Sequence, residues 1–252
     1  MGGDAATEEL VRRFAAGLAG AVPVLAVWAH GSLALGDYQP GRSDLDLLAV
    51  LERALEPAER ERLVALHKGL EREFPPAAKL HCTYLLADRL GDPALDHLTW
   101  AHRELFARPV TPVTRRELEL GGLCYLGPPP GELLPPVGEA ELRAFIRRDL
   151  SGYWLPATRW WVRWLRDDWV DVGLFTLARA TATLRGGGLL TKSQALAVLP
   201  EFGVSPALLA DLSSRRAGRP VRTGWRWRSR RAAQARRVLR LGIRKVLAEQ
   251  PN

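Results

Sequence analysis

The segment Asp44-Leu-Asp-Leu-Leu-Ala-Val-Leu51 constrains the chain more than any other. Beyond its second aspartate it is apolar at both parities, so an extended backbone here must be covered on both faces, as in a sheet flanked by helices. Residues 22–29 and 79–86 read as strands of the same buried kind. Between the second and third strands, residues 57–74 alternate charge and apolar groups at helical spacing. A further helix is expected upstream, opened by Thr7-Glu8-Glu9 and ending near Gly20. This strand-helix-strand order predicts an α/β layer over roughly residues 1–110.

The pattern then changes. Gly127-Pro-Pro-Pro-Gly-Glu-Leu-Leu-Pro-Pro136 reads as a linker or long loop. Beyond it the periodicity is helical over 139–154, 160–168, 170–184, 192–199, 206–216 and 229–249, which predicts a bundle. Two domains are expected, 1–125 and 135–252.

At 47% apolar content the chain can bury a sizeable core. No apolar run approaches the roughly 20 residues of a membrane span, and the N-terminus lacks a signal-peptide layout, so a soluble cytoplasmic protein without a membrane partner is expected. Cys82 and Cys124 are too few for a disulfide framework, and both are expected as small buried residues. The net charge of +8 is local. Residues 212–248 hold thirteen Arg or Lys and no acid, which leaves −5 on the rest of the chain. Arginine outnumbers lysine 32 to 4, a skew that coding bias also produces.

Asp44 and Asp46 are the unusual feature. At positions i and i+2 of a strand they share a face, with Cα atoms about 7 Å apart. Two such carboxylates repel unless a cation joins them, and hard oxygen ligands suit Mg²⁺, which recruits waters and substrate phosphates. Paired aspartates also bridge the two ions, about 4 Å apart, of two-metal phosphoryl chemistry. Upstream, Gly31-Ser32 follows the first strand. Glycine lets backbone approach a ligand, and N–H groups at a turn, with the Ser32 hydroxyl, can hold phosphate oxygens. The segment thus has the makings of a triphosphate and metal cradle.

Gly31-Ser32 followed by Ser43-Asp44-Leu45-Asp46 resembles the signature of the DNA polymerase β-like nucleotidyltransferases, and in particular the aminoglycoside nucleotidyltransferases that adenylylate streptomycin and spectinomycin. Leu126-Gly-Pro128, Leu134-Pro-Pro-Val137, Leu174-Phe-Thr-Leu-Ala-Arg179 and Gly187-Gly-Leu-Leu-Thr-Lys192 are similar to that family's later region. The resemblance implies an α+β fold, with a mixed-sheet nucleotidyltransferase domain before a helical bundle. It implies Mg²⁺ in a two-metal site on Asp44 and Asp46, with ATP as co-substrate and AMP transferred to a hydroxyl of an aminoglycoside-like molecule. Gly31, Ser32, Ser43, Arg179 and Lys192 would then contact the nucleoside triphosphate. Arg and Lys are the side chains that suit a triphosphate.

The chain departs from the family at the presumed base. The family's third carboxylate falls here on His81, which either accepts the acceptor's proton or is a satisfied strand residue, with Asp88, Asp96 and Glu104 as acidic substitutes nearby. Trp100, Asp168 and Asp171 are the expected contacts to a small cationic acceptor; a helix cap is the other reading of Asp167 or Asp168. Trp154, Trp160, Trp161, Trp164 and Trp169 are expected mostly in the bundle core. Trp225-Arg-Trp-Arg-Ser-Arg-Arg231 interleaves aromatics and cations, so residues 219–245 read either as a solvated basic helix or as a nucleic-acid contact. The alternatives to a small-molecule acceptor are RNA or protein, or a non-catalytic nucleotide-binding protein.

Overall fold

The computed structural model describes residues 4–90, 92, 95–186 and 188–249, which form two compact units, Met1–Gly138 and Glu139–Asn252.

The first unit is a six-stranded mixed sheet with helices. Its elements are α1 (Ala5–Ala21), β1 (Val24–Ala29), a single turn α2 (Gly31–Ala34), β2 (Leu45–Leu51), α3 (Pro57–Glu73), β3 (Leu80–Leu86), β4 (Asp96–Ala101), β5 (Glu104–Pro109), α4 (Pro112–Gly121), β6 (Leu123–Leu126) and a short α5 (Pro130–Leu133). The strand order is β5-β4-β3-β2-β1-β6, with β2 and β3 parallel across the α3 crossover and the other pairings antiparallel. The alternation along β2 sends Leu45, Leu47, Ala49 and Leu51 into one core with Leu10, Phe14, Leu63, Cys82 and Trp100. Leu48 and Val50 join Ala26, Trp28, Leu85, Val110 and Leu118 in a second core on the opposite face. Burial on both faces explains the unbroken apolar run.

The Asp4 carboxylate caps α1 by accepting from the Thr7 N–H at 2.8 Å, so the cap lies three residues before the threonine at which the sequence suggested it. The proline-rich stretch after Leu126 is not a linker. The Trp28 indole donates to the Pro128 carbonyl at 2.8 Å, Arg115 donates to the Pro135 carbonyl at 2.8 Å, Arg116 donates to the Val137 carbonyl, and Leu134 is in the core. These anchors extend the first unit to Gly138.

The second unit is helical: α6 (Glu139–Asp149), α7 (Leu155–Ala157), α8 (Asp167–Leu184), α9 (Lys192–Ala195), α10 (Pro206–Arg216) and α11 (Trp225–Ala248). Residues 150–154 widen into a π turn ahead of α7, and residues 161–165 form a 3₁₀ turn. Gly187, one of the residues that carry the family likeness, lies outside the described residues. Trp154 and Trp164 are buried as expected, whereas Trp160 and Trp161 are exposed. Arg163 stacks over Trp160 and Trp169, at 4.6 and 5.4 Å from the ring centres. Ion pairs tie α8, α10 and α11 together: Arg215 binds Asp171 and Asp211, and the fully buried Arg231 binds Asp167 at 2.5 Å. No helix among the described residues is long and apolar enough to cross a membrane.

Candidate active site

The parallel register of β2 and β3 places Asp46 directly opposite His81. Both belong to the face opposite the Leu45–Cys82–Trp100 core, because strand neighbours alternate. His81 Nδ1 stands 3.6 Å from Asp46 Oδ1, with the two side chains 9% and 29% exposed. Asp44 immediately precedes β2 and is exposed. Among the described residues neither aspartate forms an ion pair with an arginine or lysine.

Asp46 is held from two sides. Its carbonyl accepts the His30 N–H at 3.0 Å, which fixes the turn after β1 against β2. Gly31 follows with φ +62°, and a Cβ built there would lie 2.9 Å from Asp46 Oδ2. Only glycine serves here: it permits the left-handed backbone and leaves room for the carboxylate. Burial pushes the Asp46 carboxyl up, but the close His81 ring and the fields of His30 and Arg108 outweigh this and hold it below its ordinary value. Asp46 is therefore ionised near neutrality, the form that binds a cation.

Further polar groups complete this face. His30 is buried and its Nδ1 lies 3.2 Å from Glu117 Oε2 of α4. Thr83, two residues beyond His81, accepts from Thr99 Oγ1 at 3.1 Å and from Arg108 Nη2 at 3.3 Å. The β4–β5 turn consists of His102 and Arg103, both at positive φ (53° and 69°), and the His102 ring meets His81 edge-on at 5.0 Å. None of His30, Glu117, His102 and Arg108 stands out in the sequence, since their elements converge only through sheet pairing. A histidine just before Gly31-Ser32 was the one available signal.

The Ser32 hydroxyl has no side-chain hydrogen bond within the described residues, whereas Ser43 Oγ accepts the Gln39 N–H at 3.0 Å and closes the loop that delivers Asp44. Ser43 thus has a local structural role. Trp100 is a correction. It lies on the far face of the sheet opposite Cys82, 4% exposed and stacked on His67 at 4.5 Å, so it offers no surface to an acceptor. Asp171 is another: Arg215 Nε donates to both its oxygens at 3.0 Å, so its charge is neutralised within the bundle. Asp168 pairs with Arg166 in the exposed first turn of α8. Arg179 Nε donates to the Leu190 carbonyl at 2.7 Å, and Lys192 is exposed at the start of α9. Cys124 is exposed on the edge strand β6, against expectation, while Cys82 is buried as expected.

The donor chemistry fits Mg²⁺: two hard carboxylates, neither ion-paired with arginine or lysine among the described residues, with the remaining coordination left to water and phosphate. No group of three His, Cys, Asp or Glu among the described residues could hold an ion, so the pair alone is a partial shell.

The two aspartates thus stand at the start of β2, a strand parallel to β3, beside the Gly31-Ser32 turn. Residues 11–93 match the family described as "Nucleotidyltransferase domain", a stretch that includes both aspartates and His81. The chain carries that domain and is a transferase enzyme. Across 95% of this chain and 97% of the other, the fold is similar to the crystal structure of the spectinomycin adenyltransferase AAD(9) from Enterococcus faecialis with ATP and spectinomycin, at a TM-score of 0.68 and 14% identity. Comparison with curated protein sequences gives no match.

Proposed function

We propose that the chain moves AMP from ATP to a hydroxyl of a small, cationic, aminoglycoside-like molecule and releases pyrophosphate. The observation that carries this reading is the pairing of Asp46 with His81 across β2 and β3, next to an Asp44 without a cationic partner among the described residues. The enterococcal enzyme of similar fold was solved with ATP and spectinomycin, which supports the same pair of substrate classes here.

In this reading Ser32, whose hydroxyl is uncommitted, and the backbone at Gly31 receive the triphosphate. Asp44 and Asp46 would hold Mg²⁺, which when bound neutralises phosphate charge. His81 takes the proton of the acceptor hydroxyl as the oxygen bonds to the α-phosphorus and the bond to the pyrophosphate leaving group breaks. Glu117 holds the His30 ring, and Arg108 and Thr83 fill the floor beside His81.

The test is transfer of label from [α-³²P]ATP to a panel of aminoglycosides and aminocyclitols with Mg²⁺, beside Asp46→Asn. Metal-dependent label on an acceptor, lost in the variant, is expected. No label on any member of the panel, or label that survives Asp46→Asn, overturns the reading.

A further inference from the structure

Helix α11 carries a row of arginines that the nucleotide chemistry does not use. At 3.6 residues per turn, Arg226, Arg230, Arg237, Arg240 and Arg244 fall within an arc of about 80° and along about 27 Å of helix. All five are exposed, and among the described residues none has an ion pair. Arg226 touches only the ring of its neighbour Trp225, at 5.7 Å. Other arginines of the same region are engaged: Arg215 and Arg231 bind aspartates, and Arg236 donates to the Thr158 carbonyl at 2.7 Å. Since residues 212–248 contain no acid, nothing on this segment offsets the row. Five guanidinium groups at this spacing repel one another and attract a polyanion.

A cavity of about 690 Å³ adjoins the row. Arg230 and Arg237 line it together with Trp227, Phe202, Ser205 and Gln234. The Trp227 indole donates to Asp211 at 3.2 Å, which fixes its ring, and Ser205 donates to Gln234 Oε1 at 2.8 Å, which leaves the Gln234 amide N–H groups for a ligand. Trp225 stands 73% exposed at the start of the helix.

We propose that this face of α11 binds single-stranded RNA, with the arginines on successive phosphates, a base in the Trp227–Gln234 cavity and another stacked on Trp225. A duplex keeps its bases stacked and cannot fill a cavity of this kind, whereas unpaired RNA presents bases and phosphates together. A bilayer is disfavoured because the apolar face of α11, Val238, Leu239, Ile243 and Val246, is already buried.

Fluorescence anisotropy of the full chain with a labelled single-stranded RNA of about 20 nucleotides tests this. Each phosphate contact contributes about −0.7 to the slope of log K against log salt, so five contacts weaken binding about 100-fold between about 50 and 200 mM salt. In Arg230→Gln/Arg237→Gln/Arg244→Gln two contacts remain, and the same change of salt should weaken binding only about sevenfold. Trp225→Ala should weaken binding at least fivefold at constant salt, whether or not the triple variant folds. The proposal is overturned by no anisotropy change at the lowest salt, by a slope unchanged in a triple variant of native circular dichroism, or by equal capture of duplex DNA or phosphatidylglycerol vesicles. These outcomes are independent of the small acceptor proposed above.

Discussion

Gly31→Ala separates the fold from the site. The substitution meets two penalties of different kinds. The backbone at φ +62° is left-handed, which costs alanine about 1–2 kcal/mol. In a domain of this size that lowers Tm by about 2–8 °C. The second penalty falls on Asp46. The new Cβ would stand 2.9 Å from Oδ2, where ordinary contact begins at 3.4 Å, so the carboxylate must retreat by about 0.5 Å. If 1 Å of misplacement costs about 100-fold in rate, half of that costs about tenfold. Gly36→Ala is the control, because Gly36 has φ +69° and nothing within 4 Å of its Cβ. Both variants should lose similar thermal stability by scanning calorimetry, and only Gly31→Ala should lose transfer of label from ATP. Equal activity in the two variants, in either direction, would refute the claim that Gly31 is kept for the room it gives Asp46.

Three further outcomes follow from buried groups. His67 is stacked on Trp100 and shares a hydrogen bond with the Tyr84 hydroxyl, and burial lowers its pKa to about 3. The unfolded chain therefore binds the extra proton below about pH 6.5, so this contribution to stability is complete above that pH and is lost as pH falls toward 3. Urea unfolding should show about 2 kcal/mol less stability at pH 5 than at pH 7, a difference that His67→Gln removes. Native protein at pH 8 should react with one equivalent of a thiol reagent, at exposed Cys124, because burial pushes the Cys82 thiol up to about 12; two equivalents without denaturant would contradict the core placement. Arg231→Met removes the partner of the part-exposed Asp167, while Arg215 still holds Asp211, and should cost the second unit about 1–3 kcal/mol, read as an earlier urea midpoint.

The first three strands were legible because each is a short buried run, apolar at both parities in β1 and most of β2 and at one parity in β3, where His81 and Thr83 turn to the site. β4 and β5 were not, for two reasons. Asp96-His-Leu-Thr-Trp-Ala and Glu104-Leu-Phe-Ala-Arg-Pro mix charge with apolar residues, and their turn is His102-Arg103 in place of the glycine or asparagine that marks a tight hairpin. Without that hairpin, Trp100 could not be assigned to the core face, nor could Arg108, Thr99 and His102 be brought to the site. The proline-rich composition fits a linker and a long loop equally; the carbonyls that accept from Trp28 and Arg115 make it a loop of the first unit, a contact that composition cannot show. On α11 the sequence hid the first turn, since Trp225-Arg-Trp-Arg resembles an extended aromatic-basic motif yet is helical. The Gly-Ser turn was legible because its backbone depends on local spacing alone.

A histidine, and not a carboxylate, opposite Asp46 has a consequence for the order of binding. With a glutamate at that position the cluster would carry one more negative charge, directly across the sheet from Asp46. As it stands, His81, His30 and Arg108 surround Asp46 and offset part of its attraction for a dication. The two aspartates should then bind Mg²⁺ weakly by themselves and well only once a triphosphate supplies further oxygens and charge. His81→Glu should reverse this. A new carboxylate about 5 Å from the dication contributes about 1.7 kcal/mol of attraction even at the dielectric constant of water, enough to tighten Mg²⁺ in the absence of ATP at least tenfold. Isothermal calorimetry with Mg²⁺ alone, before and after the substitution, measures that change without any acceptor. Were the affinities equal, position 81 would be electrostatically separate from Asp46, and the pairing on which the active-site reading rests would have no chemical meaning.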